Sequence, residues 1–116
     1  MSQQDDLPIF VKWMDFLKWL LPTTEKFPRR VRFTFADRID TLALDLVEDL
    51  VEARYAHRKQ EILKRANLRL EKIRVLLRLC HEQHYLSHDA FEYAVRHLLE
   101  IGRMLGGWMK QQEENR

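Results

Sequence analysis

Cys80, His81, His84 and His88 are the side chains in this chain whose types and spacing could do metal chemistry. Cys80 and His84 stand four apart, so a helix would carry both on one side, as zinc ligands sometimes are. The set stops short of a site. Cys80 belongs to an apolar seam, and no acidic or further cysteine ligand completes a tetrahedron. His81-Glu82-Gln83-His84 lacks the i, i+4 histidine spacing of a zinc-protease helix. Helix-end solvation or capping is the expectation for these histidines, and no metal is assigned. The chain also lacks a glycine-rich phosphate loop, a nucleophile elbow, and a cysteine–histidine pair with an orienting acid. No catalytic residue, cofactor or small-molecule substrate is therefore assigned, and an enzyme is not expected.

The other chemistry available is charge. Arg58, Arg65, Arg69 and Lys72 are spaced 7, 4 and 3, which puts them on one flank of a helix. Arg74 and Arg78, four apart, fall on the other flank. A guanidinium donates two parallel hydrogen bonds to a phosphate, so these six are the candidate nucleic-acid or polymerase contacts. No aromatics are interleaved with them, so affinity from phosphate charge is expected, without base stacking. Net charge is only +2, but it is unevenly spread. From Asp37 to Glu52 there are six acids and one base; from Arg54 to Arg78 there are nine bases and two acids. The competing reading is structural: an acidic helix packs beside a basic one, and the arginines pair with Asp45, Glu48 and Glu52.

The elements that position these residues follow from periodicity. The 116 residues make one domain, and 46% hydrophobic content supports a buried core. Six Gly and Pro in all are too few for a sheet protein with many tight turns. Helices are expected at about 8–21, 25–57, 59–85 and 88–112, giving an all-α, antiparallel four-helix bundle. Pro8 and Pro22 bracket the first, whose inner stripe is Phe10, Trp13, Leu17 and Leu20. Thr24 is the expected cap of the second, with stripe Phe35, Ile39, Leu42, Leu46, Leu50 and Ala53. The third carries Leu63, Ala66, Leu70, Ile73, Leu77 and Cys80, a continuous seam. Ser87 should cap the fourth, with Leu86 and Phe91 as a hydrophobic staple. Its stripe is Phe91, Ala94, Leu98, Ile101, Leu105 and Trp108, and the polar tail from Lys110 should fray.

A bundle helix needs one buried stripe, and two helices have a second. On the second helix it is Leu44, Val47, Val51 and Tyr55; on the fourth, Val95, Leu99, Gly102 and Gly106. Both are expected to meet another copy of the chain, with Gly102 at a close backbone approach; scattered exposed apolar residues are the alternative. The lone cysteine excludes an intrachain disulfide framework and fits a reduced, cytoplasmic setting. Ser2 to Leu7 is acidic and polar, so no signal peptide is expected, and the run Trp19-Leu20-Leu21 is too short to span a bilayer.

Three stretches in order, FPRRVRF, ANLRLEKIR and IGRMLGGW, resemble the accessory variability determinant proteins of diversity-generating retroelements, over about residues 24–112. Those proteins group with four-helix proteins encoded in intervening sequences of bacterial 23S ribosomal RNA genes, the competing family. The resemblance implies a pentameric ring of four-helix protomers with a basic surface. It implies a non-catalytic subunit that binds the retroelement's reverse transcriptase and its RNA and DNA, and so supports mutagenic cDNA synthesis and retrohoming. The competing family implies an oligomeric scaffold or RNA-associated protein.

Overall fold

Pro22 does not end the first helix. In the structure, a computed structural model that describes residues 7–114, α1 runs Pro8–Glu25 with Pro22 inside it. The turn beyond the proline is anchored by two threonines. Thr23 Oγ1 donates to the Trp19 carbonyl at 2.7 Å, and the Thr24 hydroxyl lies 2.7 Å from Asp40 Oδ1 and 3.1 Å from the Leu21 carbonyl. Thr24 is thus a buried member of α1 and not the cap of the next helix. The polar stretch before residue 7 and the last two residues lie outside the described residues.

The long second helix expected from residue 25 is interrupted. Pro28 has no N–H and disfavours helix in the residue before it. A 3-10 turn at Arg29–Val31 and a π turn at Arg32–Ala36 precede α2, Asp37–Tyr55. The buried residues explain the π turn. Val31 and Ala36 are both buried and five apart, one position wider than α spacing allows. Ile39, Leu46, Leu50 and Ala53 are buried as expected, whereas Ala36 and Ala43 are buried where Phe35 and Leu42 were expected, and those two are only half-buried.

α3 spans Gln60–Glu82, and its six seam residues are all buried. It ends three residues before the expected boundary, at a closed C-terminal motif. The Tyr85 N–H donates to the Cys80 carbonyl at 2.9 Å and the His84 N–H to the His81 carbonyl at 3.1 Å. His84 takes φ 64°, the left-handed conformation that glycine usually supplies here. Ser87 then caps α4 as expected, its Oγ accepting the Ala90 N–H at 3.1 Å. α4 spans His88–Glu114, so residues 110–114 continue the helix that was expected to fray.

The four helices form an antiparallel bundle, and the described residues contain no strand. Chain neighbours pack on one another and α1 closes against α4. Each seam is held differently. The Trp13 indole donates to the Ala43 carbonyl at 3.0 Å, tying α1 to α2 inside the core. Between α1 and α4, the Trp19 and Tyr93 rings pack at a tilt with centroids 4.5 Å apart, and Lys12 pairs with Glu100 at 2.7 Å, holding that carboxylate below its usual pKa range. Between α2 and α3 the seam is ionic.

Candidate nucleic-acid interface

Asp49 decides what the basic helix can offer. It sits on the inner flank of α2, and at 2% exposure it is the one buried charged residue among those described. Burying a carboxylate is costly unless it is paired and hydrogen-bonded. Both of its oxygens are satisfied by α3. Arg65 Nε donates to Oδ1 at 2.9 Å, and Arg69 Nη1 donates to Oδ2. Arg65 also holds Glu52 at 2.7 Å, and Arg69 approaches Asp45 at 3.9 Å. The bonds to Asp49 and then Glu52 raise the Arg65 pKa above its ordinary value. The structure therefore places Arg65 and Arg69 in an intrachain network, as the structural alternative expects.

The remaining candidates are placed otherwise. Arg58 lies in the α2–α3 link, where its neighbour Lys59 caps α2. The Lys59 ammonium donates to the carbonyls of Ala53, Arg54 and Ala56 at 2.6–3.1 Å. Arg58, Lys72 and Arg78 are exposed and have no ion-pair partner among the described residues. Arg74 pairs at 2.6 Å with Glu71, one turn back on its own exposed surface. Thus the flank with Arg74 and Arg78 faces outward beside α4, while the flank with Arg65 and Arg69 faces α2.

Two shallow recesses mark that outward edge. Arg74, Val75, Arg78, Phe91 and Val95 line one. The other, sharing Arg74, runs past Leu99 and Gly102 to Arg103. Leu99 is 51% exposed, and a β-carbon on Gly102 would meet only Leu70 Cδ2, at an ordinary 3.7 Å. At Gly106 it would meet nothing within 4 Å. The expected backbone approach at Gly102 does not occur within the protomer. On α2, Leu44, Val51 and Tyr55 are exposed and Val47 is half-buried. The sequence reading missed a matching stripe on α3. Leu68, Val75 and Leu79 are all exposed, spaced 7 and 4, with Lys72 between them. Their spacing of 7 and 4 is legible in the sequence, but it is interspersed with the cations Arg69, Lys72, Arg74 and Arg78.

Near the end of α3, His81 stacks on Phe91 with ring centroids 4.4 Å apart, and burial pushes the Cys80 thiol up to about 11. Among the described residues no three His, Cys, Asp or Glu side chains are grouped as metal ligands. No helix among them is long and apolar enough to cross a membrane.

This ordered set of helices, with its ionic seam and open edge, can be set beside known proteins. A family model described as bAvd-like matches residues 8–112, spanning α1 almost to the end of α4. The chain belongs to the bAvd-like family. That is the family of accessory variability determinant proteins which the three sequence stretches resemble. Curated proteins yield no significant match.

Proposed function

We propose that this bAvd-like protein is a non-catalytic, cytoplasmic subunit of a diversity-generating retroelement. It binds the element's reverse transcriptase and its RNA or DNA, and supports mutagenic cDNA synthesis and retrohoming. The family match over residues 8–112 carries this reading. Polymerisation belongs to the reverse transcriptase. The exposed cations of α3 and of the link before it support a basic contact surface, in which Arg74 and Arg78 on the open flank, with Lys72 and Arg58, offer charge to phosphate. Arg65 and Arg69 serve the fold in this reading. The exposed apolar residues support a homo-oligomer, by family a pentameric ring. Leu44, Val47, Val51 and Tyr55 on one helix, and Val95, Leu99, Gly102 and Gly106 on another, are its proposed contacts. Burying each exposed Leu or Val contributes about 1.5–3 kcal/mol, enough for a few per protomer to hold a ring.

The test uses the purified chain and the reverse transcriptase of a diversity-generating retroelement that carries its gene. Light scattering should give a closed oligomer at micromolar concentration. Co-expressed reverse transcriptase should co-purify with it. Binding to template RNA should weaken with salt, with a log–log slope of about −0.7 to −0.9 per phosphate neutralised. A monomer that binds neither the polymerase nor nucleic acid at low salt would overturn the proposal.

A further inference from the structure

The corner between α1 and α2 carries a second basic surface, and this one has an aromatic at its centre. Between Lys26 and Arg38 there are five bases and one acid, Asp37. All five bases are exposed. Lys26, Arg29, Arg32 and Arg38 have no ion-pair partner among the described residues. Arg30 is held by Tyr85 from the α3–α4 turn, its guanidinium 5.3 Å from the ring centroid. Phe33 lies among them in sequence at 82% exposure, the most exposed large hydrophobic residue among those described. It lies within the π turn, whose extra residue carries Val31 and Ala36 inward on either side.

Among the described residues nothing covers Phe33. A second copy meeting it through the same corner would bring like charge to like. An exposed phenyl ring on a short segment rich in exposed arginines instead matches a strand that offers phosphates and unstacked bases together. A duplex cannot use the phenyl face, because its bases are already stacked on one another. We propose that this corner binds single-stranded nucleic acid, with Phe33 as a stacking platform for a base and Arg29, Arg32 and Arg38 on the flanking phosphates. The site is separate from the open flank of α3. It rests on the nucleic-acid-binding reading above only for its choice of partner.

The experiment measures fluorescence anisotropy of the full chain with labelled oligo(rU), oligo(dT) and a duplex of equal length. The proteins are the wild type, Phe33→Ala, Phe33→Tyr, and Arg29→Gln combined with Arg32→Gln. Phe33→Ala should weaken single-strand binding roughly ten- to a hundredfold, the range for loss of one stacked base, and leave duplex binding unchanged. Phe33→Tyr should retain it. The double glutamine variant should make the single-strand salt slope shallower by about 1.4, at 0.7 per phosphate contact. The tighter of the two oligomers identifies RNA or DNA as the natural strand. Single-strand affinity that survives Phe33→Ala overturns this site while leaving the α3 surface standing. A Phe33→Ala protein that loses its oligomer by light scattering overturns it in favour of a subunit contact. A wild type that binds no nucleic acid overturns both.

Discussion

The two flanks of α3 carry similar arginines and have opposite fates. Arg65 and Arg69 face α2 and close on the buried Asp49, while Arg74 and Arg78 face the edge shared with α4, where no acid of another helix meets them. Arginine does not mean the same thing in the two places. On the inner flank its removal strands a carboxylate in the core; on the outer flank it leaves water-facing surface. Charge reversal at Arg65 and Arg69 would therefore read fold stability before any binding. The outer flank is where a binding test has to be made.

The comparison is tested most severely by paired truncations. Arg65→Ala with Arg69→Ala should cost about 3–5 kcal/mol in chemical denaturation, because Asp49 keeps its burial and loses both partners. Arg74→Ala with Arg78→Ala should change stability by less than about 0.5 kcal/mol per substitution. Equal costs on the two flanks would erase the distinction. The next effect lies at the foot of the α2–α3 seam. Lys59→Met keeps the aliphatic stem but removes the ammonium from three carbonyls, and should lower stability by about 1.5–3 kcal/mol in the same assay.

On the outer edge the sign reverses. Gly106→Ala meets no neighbour in the protomer and should stabilise the helix by about 1 kcal/mol, read as a higher melting temperature at low concentration. If that edge closes on another copy, the same change should weaken the oligomer in sedimentation. A stabilised oligomer of unchanged size would place Gly106 outside any contact. His84→Gly, in the turn joining α3 to α4, should add up to about 1 kcal/mol by relieving the left-handed backbone. The smallest effect belongs to Asp40 in the α1–α2 seam. Burial pushes its carboxyl pKa up, Thr24 opposes this, and Asp37 adds to it. Ionised Asp40 therefore carries a cost in the folded state that grows as pH rises through its raised pKa. Asp40→Asn should melt slightly higher than the wild type above that pH and lose its advantage in acid.

Much of the fold was legible because a bundle helix writes its buried stripe into local spacing. All six residues of the α3 seam were readable and are buried, as are Ala94, Leu98, Ile101 and Leu105 of α4. Ser87 was readable because capping is local chemistry. The α1–α2 corner was not readable. Pro22 reads as a terminator, and whether a helix survives past it depends on contacts such as that of Thr24 with Asp40, sixteen residues away. The π turn escaped for a related reason. A five-residue step in burial becomes visible only once Val31 and Ala36 have a core to face.

The candidate site divides along the same line. Sequence by itself determined the helices, their inner seams and the accumulation of cations on α3, because each is a property of residue type and short-range periodicity, while the family resemblance rests on three ordered stretches of residues. Only the tertiary structure decided which cations are committed. Asp45, Asp49 and Glu52 differ little as letters, yet packing takes Asp49 out of water and leaves Glu52 exposed. A charge acquires its worth from the dielectric around it and from the partner set opposite, and both depend on how α2 and α3 align over the length of their seam.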